Sequence, residues 1–121
     1  MMRKIVVVED DQPILDLMEI LLKKLGYEPV LIPNGLDALT AVRADQPALI
    51  LLDIMMSPLS GWEFLERLRT EYNLREIPVI LFTASPTVPE KMKKLNDPRV
   101  GVLQKPVTFD ELRTAISQFL G

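Results

Sequence analysis

Ala48-Leu49-Ile50-Leu51-Leu52-Asp53 is the stretch on which the fold turns. Its five consecutive apolar residues are too few for a buried helix and leave no polar side for water. They predict a strand covered on both faces, as in a parallel sheet flanked by helices. The run ends on a carboxylate and passes into a loop, Ile54-Met55-Met56-Ser57-Pro58-Leu59-Ser60-Gly61. In such a sheet the carboxyl ends of the strands open onto the crevice where ligands bind. Asp53 is therefore expected at the rim of a site.

Upstream, Ile5-Val6-Val7-Val8 is a β-branched run that predicts a first buried strand, ending in Glu9-Asp10-Asp11. Ile14, Leu15, Leu17, Met18, Leu21, Leu22 and Leu25 then recur at helical spacing, with Asp11 near the N-cap, Pro13 in the first turn and Gly26 as the stop. Pro29 to Ile32 predicts a short second strand, and Asn34-Gly35 turns into a helix through Leu36, Ala38, Leu39 and Val42. Pro47 keeps that helix from running into the Asp53 strand.

Downstream, Trp62, Phe64, Leu65 and Leu68 mark a third helix, its polar side assigned to Glu63, Glu66, Arg67 and Arg69. Ile77 to Phe82 is a fourth strand ending on Thr83. A short basic helix is expected around Glu90 to Leu95, fenced by Pro86, Pro89 and Pro98. Val100 to Leu103 forms the fifth strand, followed by Gln104 and Lys105-Pro106. Thr108 and Glu111 make a capping box for a last helix that buries Leu112, Ala115, Ile116 and Phe119. Strand and helix alternate five times, so the expected fold is α/β and flavodoxin-like: a doubly wound five-stranded parallel sheet of order 2-1-3-4-5, with five helices in three αβα layers.

Composition narrows the chemistry. The 121 residues suit one domain, 1–121, with no output domain in this chain. Nearly half the residues are apolar (48%), which argues against disorder, and the net charge of −3 argues against a duplex-binding surface. Cysteine and histidine are both absent, which removes disulfides, thiol nucleophiles, Ser-His-Asp and Cys-His arrangements and the common zinc sites. Carboxylates, hydroxyls, lysine and arginine remain. The start Met1-Met2-Arg3-Lys4 leads into an apolar run too short for a signal sequence, and no stretch reaches the ~20 apolar residues that span a bilayer. A cytoplasmic protein is expected.

Four of the five predicted strands end in a charged or hydroxyl side chain: Glu9 and Asp10, Asp53, Thr83 and Lys105. With order 2-1-3-4-5 the first and third strands are neighbours at the topological switch point, so Glu9, Asp10 and Asp53 converge. Two like charges ~4 Å apart repel by roughly 4 kcal/mol at an effective dielectric of 20. A hard divalent cation offsets that, and magnesium suits a site of few carboxylates because it keeps waters and binds phosphate oxygens. Lys105 and Thr83 stand ready for an anion, which points to metal-assisted phosphoryl chemistry.

Val-Val-Glu9-Asp10-Asp11, Leu-Leu-Asp53-Ile-Met-Met, Gly61, Phe82-Thr83-Ala84 and Lys105-Pro106, in this order and each at or just after a strand end, resemble the response-regulator receiver domain of two-component signalling. The resemblance covers essentially the whole chain. It implies that Asp53 is the phosphoacceptor, attacking a phosphoryl group on the histidine of a sensor kinase or a histidine phosphotransfer protein. It implies magnesium held by Glu9, Asp10, Asp53 and the Met55 backbone carbonyl, with Thr83 and Lys105 meeting phosphoryl oxygens and a cis Lys105-Pro106 bond. The downstream partner would dock on the fourth helix, fifth strand and fifth helix, with neither nucleic-acid binding nor membrane insertion. The only reactions expected are self-phosphorylation and slow autodephosphorylation, so the chain is not expected to be an enzyme in the ordinary sense.

This sequence departs from the family pattern in three places, one of them the short fourth helix fenced by prolines. Ser57 stands where proline is usual, with Pro58 following, and Val102 replaces the usual Tyr or Phe three residues before the lysine. A side-chain rotation of that aromatic cannot be the readout here. The departures support an alternative, a receiver-like docking module that works without phosphorylation. Aspartate-nucleophile phosphohydrolases are a further comparison, but they typically carry a second acid two residues after the nucleophile, where this chain has Met55.

Overall fold

The computed structural model describes residues 2–56, 59–84 and 97–121. Its elements run β1 (Lys4–Val8), α1 (Gln12–Lys24), β2 (Glu28–Ile32), α2 (Gly35–Asp45), β3 (Leu49–Asp53), α3 (Gly61–Thr70), β4 (Val79–Thr83), β5 (Val100–Gln104) and α4 (Phe109–Leu120). The five strands form one parallel sheet of order β2-β1-β3-β4-β5, as the apolar runs predict. Four helices stand among the described residues. The short basic helix expected around Glu90 to Leu95 lies outside them, as do Ser57 and Pro58.

The three strands with a neighbour on each edge are the most buried, β1 being open only at Lys4. All of β3 and β4 is buried, whereas the edge strand β2 is half-buried and β5 alternates between inside and outside. Pro29 is tolerated because β2 is an edge strand. Side chains alternate across the sheet, so each strand feeds two cores. Val6, Val8, Ile50, Leu52, Val79 and Leu81 pack against α2 and α3. Ile5, Val7, Leu49, Leu51, Ile80 and Phe82 pack under α1 and α4.

Helix ends follow local chemistry. Asp11 is the N-cap of α1, but its side chain makes no capping bond; Pro13 and the basic Lys23 and Lys24 favour the two ends instead. Gly26 takes φ +89°, the left-handed conformation that ends α1. Asn34 Oδ1 accepts from the Asp37 N–H at 2.8 Å to start α2. Thr108 and Glu111 form the expected capping box of α4, and Ser60 with Glu63 forms a second one on α3 that the Ser-x-x-Glu spacing also signals. In α4, Leu112 and Ile116 are buried while Ala115 and Phe119 are only half-buried.

The structure corrects one assignment. Arg69 does not lie on a solvated face of α3: it is 7% exposed. Its Nη1 donates to the carbonyls of Leu74 (2.7 Å) and Ile77 (2.8 Å), and its Nε donates to Asp97 Oδ2 at 3.0 Å. Arg69 lies four residues beyond the buried Leu65, on the same helical stripe. The guanidinium is buried because it satisfies the backbone leading into β4, at the end of the sheet opposite Asp53.

Candidate functional site

Alternation along the strands aims the acids. Ile5 and Val7 face the α1 side, so Glu9 does too; Leu49 and Leu51 face the same way, so Asp53 follows them. The Glu9 N–H donates to the Ile32 carbonyl at 3.1 Å, carrying the β1–β2 ladder one residue further and fixing the Glu9 side chain. β1 and β3 are hydrogen-bonded neighbours whose crossovers leave in opposite directions. The carboxylates of Glu9, Asp10 and Asp53 each offer an oxygen, and these oxygens all lie within 4.8 Å of one another. Glu9 and Asp53 are buried, at 1% and 3% exposure, and Asp10 is exposed.

Lys105 reaches this cluster from the end of β5. Its N–H donates to the Thr83 carbonyl at 3.0 Å, extending the β4–β5 pairing past Gln104. Its ammonium lies 3.3 Å from Glu9 Oε1 and 3.5 Å from Asp53 Oδ1. The Lys105-Pro106 peptide bond is cis. Thr83 closes β4 and is buried.

The loop after β3 is shaped by close backbone approach. The Gly61 N–H donates to the Ile54 carbonyl at 3.0 Å. A Cβ at Gly61 would stand 2.6 Å from the Asp53 carbonyl oxygen and 2.7 Å from Ile54 Cα, so only glycine fits. The Met55 N–H turns back to donate to Asp53 Oδ1 at 3.2 Å. The Met55 side chain points outward, 71% exposed, while Met56 is buried.

Electrostatically the cluster is strained. Burial, then the hydrogen bond and negative charge of Asp53, push the Glu9 carboxyl up to about 8 from its ordinary 4.5. The Lys105 ammonium opposes this without cancelling it. Ionising both buried acids beside one lysine would leave an excess of negative charge; without metal Glu9 avoids it by keeping its proton, and a cation bound to oxygen donors would neutralise it instead. The donor set present is all carboxylate oxygen, with no nitrogen or sulfur, and it fits a hard divalent ion. Of the side chains singled out, Glu9, Asp10, Asp53 and Lys105 come together at the carboxyl edge of the sheet, the Met55 N–H donates to Asp53, and Thr83 ends the neighbouring strand β4. The contact of Lys105 with the Phe82 ring carries no sequence signal, because phenylalanine inside an apolar strand reads as core.

Known proteins share this fold. Residues 5–117 match the family described as the response regulator receiver domain. The N-terminal domain of a response regulator receiver protein from Methanoculleus marisnigri JR1 is 38% identical, with a TM-score of 0.80 over 100% of this chain and 98% of that one. The receiver domain of a sensor histidine kinase from Pseudomonas aeruginosa PAO1, solved with a magnesium ion coordinated in its active-site cleft, is 26% identical with a TM-score of 0.88 over 100% and 99%. The chemotaxis protein CheY4 of Vibrio cholerae, at 23% identity, shares the fold with a TM-score of 0.87 over 98% and 99%. Among the described residues no helix is long and apolar enough to cross a membrane. With the family match running through all five strands and the acidic site between them, the chain belongs to the response regulator receiver domain family of two-component signalling.

Proposed function

We propose that this receiver domain is a phosphoacceptor switch, taking a phosphoryl group onto Asp53 from the histidine of a sensor kinase or of a phosphotransfer protein. One observation carries the reading: a buried carboxylate at a strand end has two other carboxylates within 4.8 Å and a lysine ammonium at 3.5 Å.

In the reaction an Asp53 carboxylate oxygen attacks phosphorus, the phosphorus–nitrogen bond to histidine breaks, and the imidazole leaves with the electron pair. The product is an acyl phosphate, which water hydrolyses slowly. The Met55 N–H holds Asp53 Oδ1, and so fixes the orientation of the nucleophile. Lys105 exchanges its contact with Asp53 for one with a phosphoryl oxygen, and the Thr83 hydroxyl donates to another. Glu9, Asp10, Asp53 and the Met55 carbonyl would hold magnesium, which when bound screens the phosphoryl oxygens from the surrounding carboxylates. The signal then leaves through the elements attached to Thr83 and Lys105. On that side β5 and α4 enclose an open groove lined by Val102, Leu103, Asp110, Thr114, Ala115 and Gln118. With Val102 in place of an aromatic, the shift is carried by backbone and by Lys105.

The experiment is incubation with acetyl phosphate and magnesium, resolved on a phosphate-affinity gel. A magnesium-dependent shift that disappears in Asp53→Asn is expected. No shift in the wild-type protein overturns the reading and leaves the phosphorylation-independent docking module. Rapid turnover of phosphate esters would point to a hydrolase, although the Met55 position offers no second acid.

A further inference from the structure

Phe82 stands one residue before Thr83, a place where any apolar side chain would fill the strand. Its ring is 1% exposed and lies on the same face of the sheet as Glu9 and Asp53. In register it pairs directly with Asp53 across β3 and β4. The ammonium of Lys105 sits over this ring, 5.0 Å from its centroid, within the range of a cation–π contact.

The other partners of that ammonium hold it loosely. Glu9 Oε1 and Oε2 are 3.3 and 3.4 Å away and Asp53 Oδ1 is 3.5 Å away, long for charge-assisted hydrogen bonds, which run about 2.7–2.9 Å. A lysine has a flexible stem and many rotamers to choose from. The ring restricts that choice. It also borders an apolar groove of about 350 Å³ lined by Ile14, Leu17, Met18, Ala84 and Pro106, which offers the cation few competing polar partners on that side. The carboxylate attraction is altered when Asp53 is phosphorylated, but the ring face is the same before and after.

We propose that Phe82 is a positioning residue, whose aromatic face holds the Lys105 ammonium beside Asp53 and thereby speeds phosphoryl transfer. The rate effect rests on the phosphoacceptor reading above; the placement of the ammonium does not. An aliphatic residue of similar size would keep the core filled and present no negative face to the lysine.

The test replaces Phe82 with its 4-fluoro, 3,5-difluoro and 3,4,5-trifluoro analogues, which keep the ring's shape and progressively drain its face of negative charge. Initial rates of phosphorylation by acetyl phosphate at fixed magnesium should fall stepwise, by about two- to fivefold across the series, with the thermal midpoint unchanged. Phe82→Leu should match the slowest of them. Rates indifferent to fluorine overturn the proposal, as does a Phe82→Leu protein as fast as wild type. Placement is read separately by NMR, without phosphoryl transfer. The ε-methylene protons of Lys105 should be shifted upfield by the ring and return to ordinary lysine values in Phe82→Leu. Ordinary values in the wild-type protein also overturn the proposal. A wild-type protein that takes no phosphoryl group but shows the upfield shift refutes the phosphoacceptor reading and leaves the placement standing.

Discussion

The ammonium of Lys105 lies 3.3 Å from Oε1 of Glu9, a residue 96 positions earlier in the chain. The same nitrogen serves Asp53, so one lysine compensates two buried acids. Lys105→Met leaves them unpaired. Breaking a fully buried pair costs about 3–5 kcal/mol, but Lys105 is 21% exposed, so a loss of about 1–3 kcal/mol is expected in metal-free buffer. Magnesium should restore part of it. Urea unfolding with and without the ion measures both effects, and an unchanged stability would count against the pairing.

The raised Glu9 carboxyl gives stability a definite pH dependence. Folded, the group titrates near 8, against 4.5 ordinarily, because burial and Asp53 disfavour its charged form. Between those values the folded protein keeps a proton that the unfolded chain releases. Metal-free stability from this group is therefore fully present below about 4.5, falls as pH rises through the window, and levels off above about 8. Glu9→Gln should flatten that slope. Magnesium must displace the retained proton, so its affinity should climb across the same window; isothermal titration at several pH values would show a flat affinity if Glu9 were already ionised.

Gly61→Ala tests how tightly the acceptor loop is built. Its Cβ would meet backbone at 2.6 and 2.7 Å, atoms that cannot swing aside as a side chain does. Overpacking of this kind costs about 1–3 kcal/mol, and the displaced atoms belong to Asp53 and Ile54, so phosphorylation should slow as well. By contrast, Gly35→Ala meets only the Leu59 side chain, at 3.1 Å, and should be far milder. Thermal midpoints of the two variants, measured together, decide it.

Arg69→Met should destabilise without touching the chemistry. It removes an ion pair to Asp97 and leaves the Leu74 and Ile77 carbonyls without their donor. Unsatisfied buried groups of this kind cost about 1–3 kcal/mol each, so a total loss of roughly 3 kcal/mol is expected. Because the residue lies at the far end of the sheet, phosphorylation measured well below the melting temperature should match wild type.

Some of this was legible in the residues alone and some was not. The Asp53 strand announced itself, since an uninterrupted apolar run ending in an acid has few structural uses. Glu9 and Asp10 were legible for the same reason, and the sheet order placed them beside Asp53 before any distance was known. Lys105 was legible only in company, because a single lysine after a strand is commonplace. Arg69 was misplaced because its charge was weighed above its position, four residues past Leu65 on the buried stripe. Its partner Asp97 is 28 residues away, a separation at which sequence shows no pairing. The Phe82 contact needed coordinates for another reason: it depends on where a flexible lysine stem ends, which no spacing encodes.

The order of the strands has a consequence for the life of the protein on the ribosome. Asp53 and its acidic neighbours come from the first half of the chain, whereas the cation that answers them follows β5, the last strand in sequence and an edge of the sheet. A nascent chain that has emerged only through β4 therefore lacks the counterion to those carboxylates. If Asp53 is the phosphoacceptor proposed above, the chain gains its competence only when translation has delivered the final strand.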